Sequence, residues 1–179
     1  MKIFFLENDI DVFNIIKHLR NKENIVYHAH NLKDAACFLE FEPGVSFFDI
    51  FFFDVGLPAE EVRHVNNNKG KVTYNEPNRF NGLLFLLHNL DLLINRQSRV
   101  SIITAFRKQV LELGNIDVFG KNYIRKENNF KDENTRAERE QINKIHYKSV
   151  DTDQIFTFSF LDKGAGDIIQ QINKFMYRG

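Results

Sequence analysis

The sequence predicts an α/β fold: a doubly wound, parallel, five-stranded sheet in the order 2-1-3-4-5, with helices on both faces. Two observations carry this expectation. Strand-like and helix-like segments alternate along the chain, the pattern of parallel strands joined by crossover helices. The segment DIFFF (49–53) is apolar almost throughout, as a strand covered on both faces should be. With 179 residues, 43% of them hydrophobic, the chain can bury one sizeable core, so one domain with insertions is expected over residues 1–179.

The elements follow in order. KIFFL (2–6) reads as a short buried strand, and DVFNIIKHLR (11–20) places Val12, Ile15, Ile16 and Leu19 at helical spacing. IVYHA (25–29) is a second strand, LKDAACFLEF (32–41) a second helix and DIFFF the third strand. AEEVRHVNNNKGKVTYNEPNR (59–79) is polar and turn-rich, so an insertion is expected at about 59–80, with a hairpin around Gly70. Its few apolar residues and its length suggest a mobile cover at the mouth of strand 3. GLLFLLHNLDLLINR (82–96) reads as one apolar helix, VSIIT (100–104) as strand 4 and AFRKQVLEL (105–113) as a short helix. Residues 115–153 are highly charged and are expected to form a second insertion, with KDENTRAEREQ (131–141) as a solvated helix. QIFTFSFL (154–161) is then strand 5, and GDIIQQINKFM (166–176) closes the chain as an amphipathic helix.

Charge and termini bound the function. Lys+Arg and Asp+Glu both number 24, so the net charge is zero, which argues against a general electrostatic grip on nucleic acid or an anionic membrane. The apolar run in MKIFFLENDI is too short for a signal peptide, and no stretch approaches ~20 apolar residues, so a soluble cytoplasmic protein is expected. The single cysteine, Cys37, is expected to pack in the core.

In an open parallel sheet, reactive groups gather at the carboxyl ends of the strands. Strand 1 ends in Glu7, Asn8 and Asp9; strand 3 in Asp54; strand 4 in Thr104; strand 5 in Asp162 and Lys163. Acids from two adjacent strand ends suit Mg²⁺, a hydroxyl can donate to a phosphoryl oxygen, and a lysine can pair with the charge. Helix capping by Glu7 or Asp9 is the simpler alternative role for those acids.

In these residues the chain resembles the receiver domain of two-component response regulators, whose flavodoxin-like fold it would share. The resemblance rests on Glu7-Asn8 after strand 1, the D-x-x-x-x-D-x-x-x-P setting from Asp49 to Pro58, Thr104-Ala105 after strand 4, a lysine after strand 5, and FNGLLFLL (80–87) as the opening of helix 3. It implies a phosphorylatable receiver without an output domain. Asp54 would accept a phosphoryl group, with Mg²⁺ held by Glu7, Asn8, Asp9, Asp54 and the Gly56 carbonyl. Thr104 and Lys163 would bind the phosphoryl oxygens. The implied partners are a histidine kinase or phosphotransfer protein and a downstream protein, with no nucleic acid, no membrane and no enzymatic turnover.

Two departures bear on these roles. Asn8 stands where the family usually has a second acid, which leaves room for a receiver-like scaffold that has lost efficient phosphorylation. Family spacing selects Lys126, or Lys121 with a shorter gap, whereas the apolar strand before Lys163 and the amphipathic helix after it select Lys163. A haloacid-dehalogenase-type phosphatase is a further alternative, prompted by Asp9-Ile10-Asp11-Val12, Thr104 and Gly166-Asp167.

Overall fold

The computed structural model describes residues 1–19, 23–41, 43–64, 70–75, 80–94, 99–126, 144–164 and 167–177. Its centre is an eight-stranded mixed sheet in the order β2-β1-β3-β6-β10-β9-β8-β7, beside a separate two-stranded sheet of β4 and β5. This corrects the expected fold class: the sheet is neither five-stranded nor wholly parallel. The strands are β1 (Lys2–Leu6), β2 (Ile25–Ala29), β3 (Ile50–Asp54), β4 (Glu60–His64), β5 (Gly70–Tyr74), β6 (Arg99–Thr104), β7 (Asn115–Val118), β8 (Lys121–Lys126), β9 (Lys144–Ser149) and β10 (Ile155–Asp162). The helices are α1 (Ile10–Ile16), α2 (Leu32–Glu40), α3 (Asn81–His88), α4 (Leu90–Ile94), α5 (Arg107–Glu112) and α6 (Ile168–Tyr177).

Parallel pairing runs from β2 through β1, β3 and β6 to β10, and β9, β8 and β7 extend the sheet in antiparallel sense. β3 is buried on both faces because its side chains alternate between two cores. Phe51 and Phe53 point to the side of α2 and α3; Ile50 and Phe52 point to the side of α1 and α6, where Ile16, Ile168 and Ile172 pack. The antiparallel strands bury one face only. Ile116, Val118, Tyr123, Ile145 and Tyr147 join the α3-side core, while their neighbours Asn115, Asp117, Asn122 and Lys144 are exposed.

Both expected insertions therefore contain sheet. Residues 115–126 and 144–149 form three strands of the main sheet; the expected helix over 131–141 lies outside the described residues. The segment after Pro58 is a hairpin rather than a loose cover, since Val62, His64 and Tyr74 are buried beneath it. A chain of hydrogen bonds fixes it. Glu40 of α2 bonds His64 Nδ1, His64 Nε2 lies 2.7 Å from the Tyr74 hydroxyl, and that hydroxyl lies 2.6 Å from His88 Nδ1 of α3. Glu60 Oε2 also accepts the Leu32 N–H at 2.8 Å, tying the hairpin to the start of α2.

The long apolar helix expected over 82–96 is broken at Asn89. Its side-chain amide donates to the Phe85 carbonyl at 2.8 Å, competing with the helix ladder, and α4 starts anew at Leu90. Cys37 is exposed rather than packed in the core. Among the described residues no helix is long and apolar enough to cross a membrane.

Candidate functional site

The carboxyl ends of β1, β3, β6 and β10 meet at one rim of the sheet. Parallel register sets Leu6 beside Phe53, Asp54 beside Ile103, and Thr104 beside Asp162, so the residues that follow each strand emerge together. Glu7, Asp54 and Lys163 converge there. Lys163 Nζ lies 2.6 Å from Glu7 Oε2 and 3.0 Å from Asp54 Oδ2. The carboxylates are 1% and 5% exposed and the ammonium 14%, so this is a largely desolvated cluster.

Two acids and one lysine do not neutralise each other, and the surplus negative charge falls on Glu7. Burial and the neighbouring Asp54 push its carboxyl up to about 7, against the pull of Lys163. Burial works to lower the Lys163 ammonium, but Asp54 and Glu7 together outweigh it and hold the group above its ordinary value. Near neutral pH the cluster thus holds a cationic lysine while Glu7 is poised to gain or lose a proton.

The backbone around Asp54 is fixed from two directions. The Gly56 N–H donates to Asp54 Oδ1 at 3.1 Å. The start of α3 lies directly against the strand end: the Gly82 N–H donates to the Val55 carbonyl at 3.1 Å, and a Cβ at Gly82 would stand 1.8 Å from the Asp54 carbonyl oxygen. Only glycine permits that approach, which accounts for Gly82 in FNGLLFLL. Asn81 adds a bond from its amide to the Leu57 carbonyl at 2.9 Å.

Thr104 is fully buried; its Oγ1 accepts the Phe106 N–H at 2.9 Å, and its carbonyl accepts the Lys163 N–H at 3.0 Å. Asn8 and Asp9 do not join the cluster and are exposed. Asp9 Oδ1 accepts the Asp11 N–H at 2.9 Å and the Val12 N–H at 3.4 Å, the role of a helix cap. Asp167 caps α6 through Ile169 and Gln170 in the same way. Lys121 pairs with Asp91, and Lys126 ends β8, two strands beyond β10.

His28 also borders the site. Its Nε2 lies 2.6 Å from the Glu7 carbonyl oxygen, and Phe13 stacks on its ring at 3.8 Å. Only the pairing of β1 with β2 reveals the contact, since nothing in the local pattern HAH marks it.

The donor set suits Mg²⁺ in kind, because that ion commonly takes one or two carboxylates and keeps several waters. Glu7 and Asp54 supply the carboxylates. Among the described residues no group of three or more His, Cys, Asp or Glu side chains is arranged around a metal position. Against known proteins, the chain matches no family model and no curated sequence.

Proposed function

We propose that this chain is a phosphoacceptor signalling module of the two-component type, with Asp54 as the acceptor. The observation that carries the reading is the Asp54–Lys163–Glu7 cluster at the carboxyl rim of parallel strands. The sheet does not carry it, because it differs from the receiver fold.

In the proposed step an Asp54 carboxylate oxygen attacks the phosphorus of a phosphohistidine or a small acyl phosphate. The new P–O bond to Asp54 forms as the P–N or P–O bond to the donor breaks, and the donor's imidazole or carboxylate leaves with the electron pair. Lys163 pairs with the added charge. Thr104 already accepts from Phe106, so its own O–H is available to donate to a phosphoryl oxygen. Mg²⁺, if held by the Glu7 and Asp54 carboxylates with the Gly56 carbonyl, would neutralise charge on the transferring group. The protein output would be altered binding of a downstream protein.

The test is intact-mass measurement after incubation with acetyl phosphate and Mg²⁺. A phosphorylated species is expected in the wild type and is expected to vanish in Asp54→Asn. Equal labelling of the variant would overturn the assignment.

A second reading has its own observation. Lys163 already closes both carboxylates, and Asp9 is committed to capping α1, so the site resembles a locked scaffold. It predicts no labelling at any Mg²⁺ concentration, with partner binding unaffected by Asp54→Asn. The phosphatase alternative loses ground because Asp9 and Asp11 both sit exposed at the start of α1.

A further inference from the structure

β7 ends the main sheet, and its pairing with β8 fixes which of its backbone groups face outward. The hairpin turns through Phe119 and Gly120, so Val118 opposes Lys121, Ile116 opposes Tyr123, and Asn115 and Asp117 oppose Ile124 and Asn122. In an antiparallel ladder the hydrogen-bonded pairs alternate with unbonded ones. The bond from the Arg125 N–H to the Gly114 carbonyl at 2.8 Å sets the phase: residues 114, 116 and 118 bond inward to β8. The N–H and C=O groups of Asn115 and Asp117 therefore point away from the sheet. Both residues are exposed, and among the described residues no strand lies beyond them.

An edge of this kind is a template for another strand. We propose that it binds a second copy of this chain, β7 pairing antiparallel with β7 about a two-fold axis at Ile116, to give one continuous sheet across the dimer. That register sets Asn115 of each copy opposite Asp117 of the other, and both residues have outward groups, so the ladder forms four main-chain hydrogen bonds. Ile116 meets Ile116 in the unbonded position between them.

Charge favours this register over its neighbours. A ladder centred on Asp117 would set two carboxylates directly opposite one another, which is unfavourable. One centred on Asn115 would set Leu113 against Asp117. The Ile116-centred ladder instead gives each Asp117 carboxylate a side-chain amide to accept from. The chain's net charge of zero also means that no long-range repulsion opposes two copies.

Phe119 supports the same occupant. It adopts φ 52° in the turn, a left-handed conformation that a bulky side chain rarely takes and that Gly or Asn would adopt more readily. One side of its ring packs on Tyr74 and His88, yet the residue remains 49% exposed. In the proposed register, position 119 of one copy falls opposite Leu113 of the other. Leu113 is a wall of an open groove of about 370 Å³ that Phe80, Leu83, Leu84, Ile116 and the same copy's own Phe119 also line. The apolar tip of one copy thereby covers the apolar groove of the next, and the contact is isologous. The proposal does not depend on phosphorylation of Asp54.

Sedimentation velocity on the full chain over a concentration series tests it. Wild type is expected to pass from monomer to dimer. Asn115→Asp sets two carboxylates opposite each other at both ladder positions and is expected to weaken the dimer about tenfold. Asn115→Lys sets a cation there and is expected to preserve or tighten it. Asp117→Pro removes an outward N–H that β8 does not use and is expected to leave a monomer, with some loss of melting temperature because it also deletes the carboxylate that accepts the Gly120 N–H at 3.1 Å. A wild-type monomer up to millimolar concentration would overturn the proposal, as would a dimer indifferent to Asn115→Asp. If Asp117→Pro loses its fold, the contrast between the two Asn115 variants decides.

Discussion

Lys163 holds Asp54 and Glu7 together from the far side of β6, with its ammonium 3.0 Å from one carboxylate and 2.6 Å from the other. Removing the lysine leaves two acids buried against each other with no cation. Lys163→Ala is therefore expected to destabilise the fold by about 3–5 kcal/mol at neutral pH, the range for breaking a buried pair from one side. Lys121→Ala, which breaks an exposed pair with Asp91, is expected to change it by less than about 1 kcal/mol. Chemical denaturation of both variants makes the comparison, and equal effects would show that the cluster is solvated. Asp54→Asn added to Lys163→Ala should recover part of the loss.

Glu7 gives stability a particular pH dependence. Its carboxyl rises from 4.5 to about 7 on folding, so the native state binds a proton more tightly than the unfolded chain does. That contribution is complete below about pH 4.5 and is lost as pH rises through 7, amounting at most to about 3 kcal/mol at 1.36 kcal/mol per pH unit. Glu7→Gln is expected to flatten the stability profile between pH 5 and 8. A wild-type profile that rises through this window, with no change on substitution, would refute the account.

The same proton bears on magnesium. A metal ion needs the deprotonated carboxylate, so apparent Mg²⁺ affinity should increase as pH rises through about 7. Titration calorimetry at pH 6 and pH 8 checks this, and Glu7→Gln should remove the difference.

Gly82 is expected to tolerate nothing larger. Gly82→Ala places a methyl group 1.8 Å from the Asp54 carbonyl oxygen, so either α3 or the end of β3 must shift. A loss of more than about 2 kcal/mol is expected, together with weaker labelling of Asp54 by acetyl phosphate. Gly114→Ala, with open space around it, serves as the control.

Tyr74→Phe tests the anchoring of the hairpin. The substitution keeps the ring and deletes the hydroxyl shared by His64 and His88, at an expected cost of about 1–3 kcal/mol. An unchanged melting temperature would mean that the shared hydroxyl does not anchor the hairpin.

The strands that sequence revealed are those of the parallel half of the sheet, β1, β2, β3, β6 and β10. KIFFL and IFFFD stand out because their apolar residues are buried in succession, and FTFSFL because Phe156, Phe158 and Phe160 fill its buried positions on alternate residues. NIDV, KNYIRK and KIHYKS bury one face only, so half their residues are polar or charged and they resemble surface chain. A yardstick of continuous hydrophobicity therefore missed the antiparallel half of the sheet. Glu7, Asp54, Thr104 and Lys163 could be picked out because each follows directly on a recognisable strand. His28 and Gly82 owe their places to contacts between distant segments, and the buried chain from Glu40 to His88 arises only when α2, the hairpin and α3 come together.

β10 is the seam between the two halves of the sheet, and its two edges close loops of very different length. With β9 it forms a nearby hairpin, Ile155 facing Lys148, whereas with β6 it joins Ser159 to Ser101 across a long intervening chain. Local ladders assemble sooner than those that must first close a long loop. The expected order is β9 with β10 first and β10 against β6 afterwards, so Lys163 reaches the two acids only in the last stage of folding. Slowing by Ser101 substitutions combined with rapid burial of Tyr147 would support that order; equal kinetic sensitivity at both edges of β10 would contradict it.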